Sequence, residues 1–206
     1  MPFKRTILFA AMTAAAALSS QASAATLAAA TTPLNIRSGP GPQYTVIGAI
    51  PARAQATVTG CIQGSLWCQV SFNGRQGWVY SQYLVANLSG RSLAVAETIR
   101  TLPPVTYQAP VETTGTAALL PAVSGTLITP PAGDPLVISP PPAVQSYVVS
   151  HPAPPVYLNG EVVEGAGLPE DVALTPVPGY DYQYAYVNRV PVLVQPSTRR
   201  VEYIYR

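Results

Sequence analysis

The sequence is short of charge. Only 10 % of its 206 residues are Asp, Glu, Lys or Arg, against roughly 25 % in an ordinary soluble domain. Once Lys4 and Arg5 are set aside, nine arginines face nine acids, and no other lysine occurs. A body so close to neutral excludes sequence-independent binding to nucleic acid, which needs several cations set against phosphates. Histidine is reduced to His151 alone, and one histidine cannot supply a two-histidine metal site. No metal or cofactor is expected. Long apolar runs are missing too. The longest candidate, Ile7–Leu18, has 12 residues, where a bilayer span needs roughly 20.

That run follows Lys4-Arg5 and precedes Ala22-Ser23-Ala24, the order of an export signal: basic start, apolar middle, small residues at the cut. Residues 1–24 are therefore expected to be removed. The mature chain then begins near Ala25, in the periplasm or outside the cell, with no membrane span. In such an oxidising compartment the two cysteines, Cys61 and Cys68, are most simply a disulfide. Thr57-Val58-Thr59 and Gln69-Val70-Ser71-Phe72 read as strands of a hairpin centred on Gly64-Ser65, which sets position 61 opposite 68.

Proline is abundant instead, with 23 in the chain and 13 of them between Thr101 and Pro155. Helices are not expected to run through Pro103-Pro104, Pro130-Pro131 or Pro140-Pro141-Pro142. Residues 89–146 read as a semi-extended linker whose low charge favours some docking on a folded neighbour. It is long enough to let the two flanking modules act at separate points. Its proline runs, Pro140-Pro141-Pro142 and Pro152-Ala153-Pro154-Pro155, are also candidates to occupy a binding groove of the first module.

Before the linker, from Thr31 to Leu88, short β-rich runs alternate with Gly, Pro and Asn, and Asn73-Gly74 is a strong hairpin signal. Five short strands with tight connections read as a small barrel. Leu34-Asn35-Ile36-Arg37-Ser38-Gly39-Pro40, Tyr44, Val46-Ile47-Gly48, Trp67-x-x-Val70, Asn73-Gly74, Gly77-Trp78-Val79 and Tyr83-Leu84 resemble the bacterial SH3 domain family, in that order. The family often has glycine in the turn after its second strand, where this sequence has Pro51-Ala52-Arg53-Ala54. After the linker, residues 147–206 read as a small β domain. Tyr180, Tyr182, Tyr184 and Tyr186 alternate onto one face, and strands at Val192–Val194 and Arg199–Tyr205 complete a three-stranded meander. Tyr182-x-Tyr184-x-x-Val187-Asn188-Arg189 with Val192-Leu193-Val194-x-Pro196-x-Thr198-Arg199-Arg200-Val201 resembles a family of unknown function in exported bacterial proteins. The expected fold is all-β: an SH3-like barrel over 31–88, a disordered proline-rich linker over 89–146, and a C-terminal antiparallel domain.

The SH3 resemblance implies a peptide groove at Trp67 and Tyr83, with Tyr80 and Tyr44 beside them. Trp67 is expected to point outward, because Cys68, Val70 and Phe72 share the other face. Arg37 reads as a hydrogen-bond donor within its own loop. The tyrosine row reads as a packing face or as a stacking platform for sugar rings. Glu161, Glu164, Glu170, Asp171 and Asp181 fall within 21 residues, but acids in such turns cap or solubilise loops. There is also no room for the peptidase domain that often accompanies such barrels, so the chain is expected not to be an enzyme. The expected role is an exported binding protein that recognises a cell-wall peptide or peptidoglycan ligand. The alternative is an envelope scaffold that contacts other proteins through its C-terminal domain.

Overall fold

The computed structural model describes residues 25–88, 90–109, 121–130 and 139–206. The segment on which export was read, 1–24, lies outside the described residues. The structure is mostly β, and its first eight strands form one twisted sheet. They are β1 (Thr26–Ala30), β2 (Leu34–Arg37), β3 (Val46–Ile50), β4 (Gln55–Cys61), β5 (Trp67–Phe72), β6 (Arg75–Tyr80), β7 (Leu84–Leu88) and β8 (Arg91–Ala94). Their spatial order is β3-β2-β6-β5-β4-β1-β7-β8. Asn73 and Gly74 close the β5–β6 hairpin, both at positive φ, and leave Phe72 opposite Arg75. Two parts of this sheet are absent from the sequence reading: β1, and β8, which lies in the segment read as linker. Strand β1 starts before Thr31 and is central, paired with β4 on one side and β7 on the other. Its Thr-Leu-Ala-Ala-Ala sequence is indistinguishable by composition from the alanine-rich segment before it.

The turn that lacks the family's glycine keeps a glycine-like backbone. Arg53 sits at φ 66°, donates its N–H to the Ala30 carbonyl at 2.7 Å, and is exposed, so its side chain extends into water. Cys61 and Cys68 face each other across β4 and β5 and are bonded, as expected.

The proline-rich stretch is not free wherever it is described. Beyond β8 the chain turns into α1 (Val95–Thr98) and a 3-10 turn at Ile99–Thr101. Val95, Ile99 and Leu102 are buried with the barrel's own core. Pro103 and Val105 then flank Cys61: the Cys61 N–H donates to the Pro103 carbonyl, and the Val105 N–H to the Cys61 carbonyl, both at 3.0 Å. This close approach is possible because residue 60 is glycine; a Cβ there would stand 2.6 Å from the Pro103 oxygen. With few charges to hold it in water, the segment buries its apolar residues on the nearest surface. The proline runs expected to reach the barrel are used elsewhere. Pro142 opens helix α2 (Pro142–Ser150), where its missing N–H costs nothing, and Pro155 begins strand β10 (Pro155–Val156).

In the C-terminal half the meander is formed by β13 (Gln183–Val187), β14 (Val190–Gln195) and β15 (Arg200–Ile204), antiparallel throughout. β10 adds in parallel beside β13, and β12 (Thr175–Pro176) pairs with β13's first residues. A piece of the linker joins this half, since β9 (Gly125–Thr126) runs parallel to β11 (Leu158–Asn159). The tyrosine row divides. Helix α2 covers its inner half: the Tyr184 hydroxyl donates to the His151 carbonyl at 2.7 Å and that of Tyr186 to Val148 at 3.1 Å. Val144, Val148, Val177, Tyr184 and Leu193 form the small core beneath the helix.

The two halves do not act at separate points. One buried core runs from Ala28, Leu34 and Val70 in the barrel through Val163 and Leu168 to Val192 and Ile204. Among the described residues no helix is long and apolar enough to cross a membrane.

Candidate functional site

Arg37 organises the junction. Its side chain is fully buried, as is that of Glu161, and the guanidinium grips the carboxylate with two bonds: Nε to Oε2 at 2.5 Å and Nη2 to Oε1 at 2.7 Å. Nη1 faces three carbonyls, of Pro42 at 3.1 Å, Tyr44 at 2.8 Å and Asn188 at 3.0 Å. The first two belong to the loop that follows β2, so the role expected within that loop is present. The other partners come from the C-terminal half and carry no signal in the sequence. Glu161 also accepts from Asn35 Nδ2 at 3.0 Å and from the Val162 N–H at 2.9 Å. Asn188 is saturated as well, receiving the Leu158 N–H on Oδ1 and donating to the Leu158 and Gly160 carbonyls. Every partner of this buried charge pair is fixed.

The loop held by Arg37, Pro40–Gln43, forms one wall of a groove of about 620 Å³. The opposite wall is the Gln63–Leu66 turn, and Trp67 and Tyr80 line the groove edge to face, with ring centroids 5.4 Å apart. A further side comes from outside the barrel: Glu97 of α1, Ile99 and Arg100 of the 3-10 turn after it, Val123 of the linker and Asn159 of the C-terminal half. Gln63 Nε2 donates to the Ile99 carbonyl at 3.3 Å and ties two of these walls together. Among the described residues Gln43 Oε1 has no partner; it is buried and folded over Gly41, where a Cβ would lie 2.5 Å from it.

Of the residues expected at a peptide groove, the structure brings Trp67 and Tyr80 together. Trp67 is not exposed as expected: it is 4 % accessible, with its ring packed edge-on against Tyr80 within the core. Tyr83 lies behind Tyr80, 8 % accessible and outside the groove. Its phenol is pushed up to about 12, first by burial, then by the Tyr80 phenol and the Glu161 carboxylate. Tyr44 is engaged elsewhere, its ring edge-on to Tyr107, which in turn meets Trp78 edge-on, both at 5.5 Å. Glu97, Arg100, Gln43 and Asn159 escaped the sequence reading. Glu97 and Arg100 are two of only five charged residues between 89 and 146, with Arg91, Glu112 and Asp134, and that sparseness is the one signal that pointed to them. Among the described residues no group of three or more His, Cys, Asp or Glu is placed to hold a metal ion.

Comparison with known proteins agrees with the two-part layout. Residues 32–85 match the model of the bacterial SH3 domain, and residues 147–206 that of a domain of unknown function, DUF1236. Over 86 residues, 42 % of this chain, the sequence is 37 % identical to the Bacillus subtilis (strain 168) protein named "Putative N-acetylmuramoyl-L-alanine amidase YrvJ". The match spans 16 % of that relative's length. No solved structure matches.

Proposed function

We propose that this chain is an exported, non-catalytic binding protein of the cell envelope whose groove takes a peptide carried by peptidoglycan. The observation that carries the reading is the groove's composition. An apolar floor of Trp67 and Tyr80 is bounded by the amides of Gln43 and Gln63 and by one acid and one base, Glu97 and Arg100. Such a set suits a short peptide of mixed charge: amides pair with its backbone, the two charges meet its amines and carboxylates, and the nearly closed edges of Trp67 and Tyr80 leave room for only a small apolar contact. The bacterial SH3 domain and the relative named as an amidase support the same ligand class. The basic, apolar, small-residue order of residues 1–24 and the bonded cysteines support the compartment.

The test is sedimentation of the mature chain with purified sacculi. Glu97 and Arg100 are exposed, so Glu97→Gln and Arg100→Ala leave the fold intact. The wild type is expected to sediment with sacculi, and the double variant to bind about tenfold more weakly, the loss of one to two charge-assisted contacts. Equal retention removes the groove from the reading, and no retention of either protein favours the envelope scaffold.

A further inference from the structure

The tyrosine row is not wholly used by packing, since Tyr180 stays outside the small core that Tyr182, Tyr184 and Tyr186 join. Tyr184 and Tyr186 hold helix α2 and Tyr182 packs in part against the core beneath it, while Tyr180, together with the open side of Tyr182, lines a trough of about 370 Å³ where β13 begins and β14 ends. Tyr180 is 42 % accessible, one of few large apolar side chains left in water. Its backbone is nevertheless fixed. The Tyr180 N–H donates to the Val177 carbonyl at 3.2 Å, the Val177 N–H to the Tyr182 carbonyl at 2.9 Å, and Gly179 makes the bend at φ 78°. A ring presented on so tight a turn loses little entropy when something stacks on it.

The polar groups around these rings complete the argument. Asp181, Gln183, Gln195 and Ser197 line the same trough, and among the described residues none of their side chains has a hydrogen-bond partner. They supply a carboxylate, two planar amides and a hydroxyl, with no cation among the lining residues. A phosphate or carboxylate ligand is disfavoured by that set, because Asp181 repels it and nothing neutralises it. A purely apolar ligand leaves four polar groups without partners. Ring C–H faces lying on tyrosine, with hydroxyls and acetamido groups meeting carboxylate and amides, satisfy all of them.

From this we infer that the outer end of the C-terminal sheet is a second binding site, for a neutral saccharide, separate from the barrel groove and independent of the function proposed for it.

The experiment is calorimetric titration of the full mature chain with a tetramer of N-acetylglucosamine, alongside Tyr180→Ala, Tyr180→Phe and Arg100→Ala. Tyr180 and Arg100 are both exposed, so none of these variants threatens the core. Saturable binding is expected in the wild type, weakened about tenfold by Tyr180→Ala and retained by Tyr180→Phe, because stacking needs the ring and not its hydroxyl. Arg100→Ala, which alters only the barrel groove, is expected to leave the titration unchanged. Three results overturn the inference: no saturable binding, binding indifferent to Tyr180→Ala, or binding lost in Arg100→Ala. Tighter binding of tetramethylammonium than of the oligosaccharide also overturns it, since the tyrosines and Asp181 are then a cation site.

Discussion

Arg37 and Glu161 stand 124 residues apart in sequence, yet their charged groups meet in a space wholly closed to water. The contact joins the segment matched to the bacterial SH3 domain to the one matched to the domain of unknown function. It also holds the Pro42 and Tyr44 carbonyls, and so one wall of the groove. Removing one member leaves the other charge buried and alone. Arg37→Met or Glu161→Leu is therefore expected to cost about 3–5 kcal/mol, and the double variant clearly less than the two together. Urea denaturation checks this. Single variants that lose under about 1 kcal/mol contradict it.

A smaller effect of opposite sign is expected at Arg53. Its φ of 66° is a conformation in which a side chain costs roughly 1 kcal/mol and glycine does not. The side chain is exposed. Arg53→Gly should raise stability by up to about 1 kcal/mol, read as a higher urea midpoint at unchanged slope. A lower midpoint means the guanidinium makes contacts that outweigh the strain.

How much of this was legible depends on how local each determinant is. The β5–β6 hairpin was visible because Asn73-Gly74 dictates its own turn, and the bonded cysteines because the preceding β4–β5 hairpin, turning at Gly64-Ser65, sets them opposite each other. The meander was visible because Tyr182, Tyr184 and Tyr186 alternate. What failed was long-range. Nothing near Glu161 marks it as the partner of Arg37; its four acidic neighbours in sequence made it look like part of a solvated cluster. Trp67 was expected outside because alternation describes a sheet by itself, while in the folded chain its ring packs against Tyr80 within the shared core. Helix α2 was hidden by reading Pro140-Pro141-Pro142 as a barrier, when a proline at the first helical position is a start signal.

The shared core changes the expected consequence of reducing Cys61–Cys68. Closing a loop of this length contributes roughly 2–3 kcal/mol through the unfolded state. In a barrel unfolding alone, a loss of about 2 kcal/mol lowers Tm by roughly 10 °C. Spread over a cooperative unit of both halves, it lowers Tm by about 4–8 °C. Calorimetry with and without reductant distinguishes these cases. A single transition with the smaller shift is expected; two transitions, only the first moved by reductant, show that the halves unfold independently.

Alkaline pH offers a probe of the same junction. Tyr83 is pushed up to about 12, chiefly by burial and further by Tyr80 and Glu161; Tyr205 is likewise pushed up to about 12 by burial and by Tyr203. Unfolded, both titrate near 10. A folded-state value above the unfolded one means that the folded protein binds more protons between the two. The stability these phenols contribute is complete below about pH 10 and is lost as the pH rises through about 12. Phenolate absorbance is therefore expected to include a late fraction, from Tyr83 and Tyr205, that coincides with loss of near-ultraviolet dichroism. In Tyr83→Phe the late fraction shrinks, and unfolding moves to higher pH. Because Glu161 is one of the charges acting on Tyr83, Glu161→Leu shifts the late phase downward, provided the variant is folded at pH 10 by dichroism. A single phase near pH 10 with dichroism intact shows that Tyr83 is open to water and that the junction around Glu161 is not closed.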